Sequence, residues 1–162
     1  MKKLIPLAMA VFLVSCATPL PKEKRELTFV ETTTASKSDA YNRVLSYLAK
    51  NLGDSNAAIK VKDQENGTII TQIILPCNDF RTFMDINPYT AEYNLEVNAK
   101  DKKVRLVYEA VAKRGHNAVS GSAFNPQPIT SDSEAQAAKK CATEHKAALL
   151  KEISVTASKA DW

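Results

Sequence analysis

The cleanest pattern in the chain starts at Tyr89, where Tyr89, Ala91, Tyr93, Leu95 and Val97 alternate with Thr90, Glu92, Asn94, Glu96 and Asn98. A period of two puts successive side chains on opposite faces of a strand, so one face meets a core and the other meets water. Residues 100–103 make the turn, and Val104, Leu106, Tyr108, Ala110 and Ala112 repeat the apolar set on the return, opposite Arg105, Glu109 and Lys113. This predicts an antiparallel hairpin. A second hairpin is predicted upstream, where 58–63 and 68–75 flank Asn66-Gly67, a pair that tolerates the positive φ angles of a tight turn, and Pro76 breaks its second strand. The β-branched segment 27–34 predicts a first strand.

Two segments carry the helical period instead. Ser36 with Asp39 is a capping-box variant, its carboxylate shorter than the usual Glu. Tyr41, Val44, Leu45, Leu48 and Leu52 follow on one stripe, and Gly53 is the predicted stop. Ser131 with Glu134 opens a long helix predicted to run through about residue 158. Its buried stripe is Ala135, Ala138, Cys141 or Ala142, His145, Leu149 and Ile153, alanine-rich enough to lie close to a sheet. The connection 77–88 holds Phe80, Phe83, Met84 and Ile86, too many apolar groups to hang in water, so it is expected to fold back or to rim a groove. Residues 115–131 are rich in Gly, Ser, Asn and Pro and read as a long mobile loop with a short edge segment around 118–124. The order strand, helix, four strands as two hairpins, helix predicts a two-layer α+β domain: a curved antiparallel sheet of about five strands with two helices on one face.

The front of the chain has another pattern. Lys2 and Lys3 precede an apolar run over 4–14 that is shorter than the roughly 20 residues needed to cross a bilayer, which makes it a signal peptide. The run ends in Leu13-Val14-Ser15-Cys16, which resembles a bacterial lipobox. The resemblance implies cleavage before Cys16, a diacylglycerol thioether on its sulfur and an amide-linked acyl chain on the new N-terminus. At about 0.8 kcal/mol per buried methylene, each long chain contributes on the order of 10 kcal/mol to anchoring. Ala17 stands where inner-membrane lipoproteins usually carry Asp, so the outer membrane is the expected address, with the domain facing the periplasm. The expected organisation is a signal peptide at 1–15, a lipidated tether at 16–26 and one domain at 27–162. With two prolines and a mixed-charge run, the tether reads as extended; at roughly 3.3 Å per residue it would hold the domain about 30 Å from the membrane.

Removing the signal leaves 162 − 15 = 147 residues, enough for one core. The precursor is formally +4, but Lys2 and Lys3 leave with the signal, so the mature side chains sum to 20 − 18 = +2. That balance makes no electrostatic case for nucleic acid. Lys22, Lys24 and Arg25 lie beside the anchor, placed for anionic head groups or simply solvated. With Cys16 taken by lipid, Cys77 and Cys141 are left as a pair in an oxidising compartment and are expected to form a disulfide, the alternative being two buried free thiols.

Catalytic signals are weak. Cys141 and His145 share a helix face at metal-ligand spacing, with Cys77 as a third soft ligand, but no second ligand pair follows and a disulfide would use both sulfurs; no metal is expected. His116 lies near Ser120 and Ser122, without a nucleophile elbow. Glu92, Glu96 and Glu109 fall across one hairpin, where a solvated sheet face is the simpler meaning. No phosphate-cradling glycine loop is present among the four glycines. No catalytic residue and no cofactor beyond the acyl groups on Cys16 are therefore expected. Phe80, Phe83, Tyr89 and Phe124 lie on the two irregular connections and read either as a satellite of the core or as the lining of an apolar groove.

The runs SDAYNR at 38–43 and YLAKN at 47–51, DQENGTI at 63–69, and the paired segments YNLEV at 93–97 and KVR at 103–105 together resemble an envelope family of bacteria described as a domain of unknown function with a TBP-like fold. The resemblance spans most of 27–113 and consists of packing and turn residues. It implies a sheet shape shared with the TATA-binding protein, and shape does not carry function; the wet face, with Glu92, Glu96 and Glu109, suits phosphates poorly. The leading expectation is a non-enzymatic outer-membrane lipoprotein, a binding module of unknown specificity that contacts a protein or another envelope component at the periplasmic face. The alternatives are apolar-ligand or lipid carriage between the sheet and the last helix, and an envelope hydrolase using His116.

Overall fold

The structure is a computed structural model and describes residues 18–52, 58–81 and 86–154. The expected signal peptide, Cys16, the Gly53 stop, Phe83, Met84 and the last turn of the predicted C-terminal helix lie outside the described residues. The described elements are a short helix α1 (Lys22–Arg25), β1 (Glu26–Thr32), α2 (Lys37–Asn51), β2 (Ile59–Asp63), β3 (Thr68–Pro76), a 3-10 turn (Asn78–Phe80), β4 (Tyr89–Lys100), β5 (Lys103–Gly115), β6 (Gln127–Pro128) and α3 (Asp132–Ser154).

The fold is α+β. Five strands form an antiparallel sheet in the order β1-β5-β4-β3-β2, and the two-residue β6 pairs with β5 beyond the end of β1. The register follows the alternation read from the sequence as far as Ala110; there a bulge, with Tyr93 opposite Ala110 but Glu92 opposite Ala112, shifts the period, so Ala112 and Lys113 exchange the faces expected of them and Lys113 reaches Glu134 of α3. Tyr93, Leu95, Val97 and Ala99 of β4, Leu106, Tyr108 and Ala110 of β5, and Ile69 and Ile73 of β3 are buried on one face. That face meets Ala40, Tyr41, Val44 and Leu48 of α2 and Ala135, Ala138, Ala142, Leu149 and Ile153 of α3. The small residues of α3 let its backbone approach the sheet, so that the Tyr93 hydroxyl donates to the Ala138 carbonyl at 2.7 Å.

Both helix starts use the predicted caps. Ser131 Oγ accepts from the Glu134 amide at 3.3 Å while Glu134 Oε2 accepts from the amides of Thr130 (2.8 Å) and Ser131 (3.2 Å). At α2, Ser36 Oγ accepts from the Asp39 amide, but the shorter Asp39 carboxylate reaches only the Ser36 hydroxyl, at 2.8 Å. The β2–β3 turn differs from the expected two-residue type: only Gly67 has positive φ, +69°, and Asn66 is instead held by its amide and side chain to the Asp63 carboxylate, at 3.0 and 2.8 Å. A Cβ on Gly67 would lie 2.4 Å from the Ala99 carbonyl oxygen, so this position requires glycine twice over.

Cys77 and Cys141 are bonded, joining the 3-10 turn to α3 across 64 residues of chain. The segment 17–26 differs from the extended linker its prolines suggested. Where it is described, it is a strap on the sheet: the Leu20 amide donates to the Ile129 carbonyl at 2.9 Å, and α1 follows. Arg25 explains the docking. Its guanidinium donates to the carbonyls of Leu20 and Ala110 and pairs with Glu109 at 3.4 Å, a fork that closes the strap over β5.

Candidate functional site

Three of the four aromatic residues expected to line a groove come together at one end of the sheet. Phe80 and Tyr89 meet edge to face with centroids 6.3 Å apart. Phe124 folds back over Gly115 beside Tyr89, so closely that a Cβ on Gly115 would lie 3.0 Å from one ring and 3.2 Å from the other. Beside Phe80, a cleft of about 300 Å³ opens between the 3-10 turn, β5 and the start of α3. Its walls are polar: Asp79 and Arg81 on one side, Lys113, Ser133 and Glu134 on the other. Lys113 donates to Glu134 Oε1, and Lys140 outside the cleft pairs with Asp79 at 2.6 Å. Burial works against the charged form of Glu134, but the Lys113 ammonium and the bonds from Thr130 outweigh it and hold the carboxyl at about 2. A carboxylate so committed caps its helix and is no proton donor near neutral pH.

The remaining chemical candidates are likewise engaged. His145 Nδ1 lies 2.9 Å from the Tyr108 hydroxyl, with the ring edge-on to Tyr47 and Tyr108, and burial pushes its pKa down to about 4. The sulfurs of Cys77 and Cys141 are bonded to each other. His116 Nε2 lies 3.1 Å from the Thr90 hydroxyl, whereas Ser120 and Ser122 bond each other at 3.1 Å. Glu92, Glu96 and Glu109 do not form a pair. Glu92, buried, accepts two bonds from Arg114 (2.6 and 3.0 Å), Glu96 lies against Asn98 and Arg105, and Glu109 lies against Arg25 and Lys22. The space between the sheet and α3, where an apolar ligand was the alternative, is filled by Tyr93, Tyr108, Leu149 and Ile153.

What the fold leaves open is the second face of the sheet. A row of paired positions, Thr28, Val107, Glu96, Ile70 and Val61, crosses all five strands. Beside it Thr68 donates to Asn98 (3.0 Å), Asn98 to Glu96 (2.6 Å), and Arg105 faces Glu96 at 3.8 Å. Apolar side chains stand around this polar ladder: Val30, Val61 and Ile74 are 61, 39 and 56% exposed.

The sequence of 28–112 matches the family model described as a domain of unknown function (DUF4468) with TBP-like fold. The chain belongs to this family. The crystal structure of a TBP-like protein from Parabacteroides distasonis is similar to this DUF4468 chain with a TM-score of 0.58 at 14% identity, over 85% of this chain and 97% of its own. A DUF4468 family protein from Bacteroides ovatus gives a TM-score of 0.49 at 11% identity, over 84% and 91%. At such identity the first likeness is one of fold alone. None of the curated proteins matches the chain. The alternation gives this DUF4468 domain an open polar face but not the apolar part of it, because Val107, Ile70 and Ile74 sit beside buried neighbours. The doublets Ile69-Ile70 and Ile73-Ile74 and the triplet Leu106-Val107-Tyr108 are the signal, since consecutive apolar residues in a strand must supply both faces.

Proposed function

We propose that this chain is a non-enzymatic binding module of the cell envelope, moored through lipids on Cys16 at the periplasmic side of the outer membrane, which presents its open sheet face to an envelope protein. The observation that carries the reading is the uncovered face itself. Both long helices pack on the other side, and Val30, Val61 and Ile74 stand in water around the Thr68–Asn98–Glu96–Arg105 ladder. Exposed apolar groups rimmed by polar ones suit a protein surface. Mixed charge there, with each carboxylate beside its own cation, suits nucleic acid poorly.

The anchor supports the address, since the lipobox resemblance places the acylated residue four positions before the docked Leu20. The supported mode is binding, because the candidate acids, bases and nucleophiles named above are held in structural bonds. A photo-reactive residue in place of Ile74 should give a discrete adduct in intact envelopes, lost on Val61→Glu. The same residue in place of Thr143, exposed on α3, should give none. Equal adducts from both positions would refute the assignment of the surface.

A further inference from the structure

The strap that replaces a loose tether fixes which part of the domain is nearest the membrane. Leu20 is bonded to Ile129, and Arg25 grips the carbonyl of Ala110, so the chain leaves the body level with residues 110–111 of β5. Leu20 is four positions from Cys16, a reach of at most about 14 Å. From Ala110 the strand continues five residues to Gly115, about 17 Å at 3.4 Å per residue, and the chain beyond it goes further out. The opposite end, the β4–β5 turn at Lys102, lies eight residues the other way, about 27 Å, out of the anchor's reach.

The near end is unlike the rest of the surface. Residues 115–131, GHNAVSGSAFNPQPITS, contain no Asp, Glu, Lys or Arg, in a chain where such residues make up 25%. The segment is also bonded more fully than its composition suggested. His116 bridges Ala123, the Asn117 side-chain oxygen accepts from the amides of Val119 and Ser120 at 2.9 Å each, and the Ala118 amide donates to Asn87 Oδ1 at 3.1 Å. At this tip three large apolar side chains reach solvent: Val119 is 95% exposed, Ile86 75%, and Phe124, which covers Gly115 with one side of its ring, 47%.

We infer that this tip is a membrane-contacting surface, and that Val119, Phe124 and Ile86 enter the boundary between head groups and acyl chains of the bilayer that holds Cys16. A segment without Asp, Glu, Lys or Arg and with outward apolar groups loses little by leaving water, Arg81, which donates to the Asn87 carbonyl at 2.9 Å, stands beside it at head-group level, and the short anchor presents the tip there without further binding energy. The open sheet face then stands beside the membrane, turned toward the periplasm, free for a partner. The inference rests on the anchor reading and adds an orientation to it.

The test uses the full acylated chain in vesicles of phosphatidylethanolamine and phosphatidylglycerol. Trp162 is the sole tryptophan, so Val119→Trp in a Trp162→Phe background gives a single reporter at the tip, and Glu65→Trp gives one in the β2–β3 turn, which lies at the far end beside Ala99. With brominated acyl chains the tip reporter should shift to the blue and lose about half its emission, as expected about 5–10 Å into the boundary. The far reporter should be unchanged. Flotation of the vesicles and the mass of the Cys16 peptide report the anchor separately. A chain that floats with its acyl groups but shows equal or no quenching at the two sites overturns the orientation and leaves the anchor standing. A chain that neither floats nor carries acyl groups removes both.

Discussion

His145 makes the domain's stability depend on pH above 4.5, where no carboxylate with a resolved shift contributes. Its ring lies between Tyr47 and Tyr108, and burial lowers its pKa from 6.5 to about 4. Between those values the unfolded chain binds a proton that the folded chain refuses, so stability rises with pH there. The contribution is fully present above pH 6.5 and is lost as pH falls toward 4. Over the whole window (6.5 − 4) × 1.36 gives about 3 kcal/mol, of which about 2 is gone by pH 4.5. Glu134, held at about 2 against an ordinary 4.5, loses its contribution only below pH 4.5, so the two effects separate. In urea, with an m-value of about 2 kcal/mol per M, the wild-type midpoint should drop by about 1 M between pH 7 and pH 4.5. His145→Gln keeps an acceptor for the Tyr108 hydroxyl and does not titrate, so its midpoint should stay nearly level over that range. Tyr108→Phe, although less stable, should keep the wild-type slope, because burial and not the hydrogen bond lowers the pKa. Equal losses for wild type and His145→Gln would show that the reasoning is wrong.

Three further outcomes are expected. Reducing the Cys77–Cys141 bond, or replacing both residues by Ser, should cost about 4 kcal/mol on the chain-entropy account for a 64-residue separation, read by thermal melts with and without reductant. Gly67→Ala places a methyl against the Ala99 carbonyl at positive φ and should cost about 1–3 kcal/mol in chemical denaturation; Gly67→Asn, which relieves φ but not the contact, would reveal equal stability to wild type if the contact were unimportant. Glu134→Gln removes the charge that caps α3 and faces Lys113, and should cost about 1 kcal/mol at pH 7 but nothing below pH 2; a constant deficit would point to packing instead.

Much of this fold was legible because its sheet buries one face only. Tyr93, Leu95 and Val97 against Asn94, Glu96 and Asn98 give β4 with its orientation, and Ser131 with Glu134 marks the start of α3 to within a residue. The strap was not legible, because the pair Arg25–Glu109 and the bond from Arg25 to Ala110 join positions about 85 apart, and no local period records such a contact. The same holds for the loop after β5: glycine, serine and asparagine suggest a plain loop, and the bonds that Asn117 and Asn87 make to its amides are not recorded by any local period. Of the candidate groove, the contact of Phe80, Tyr89 and Phe124 followed from their apolar character, but the charged cleft beside them depends on Lys113 meeting Glu134 across two elements.

The pairing of β1 also sets an order of events. Leu27 lies opposite Tyr108, 108 − 27 = 81 positions later, so the strand nearest the N-terminus finds its neighbour only after the central hairpin exists. A chain that emerges N-terminus first must therefore carry its leading segment unpaired through most of its passage. The strap, which grips Ala110 and Glu109 through Arg25, closes only when that late strand arrives.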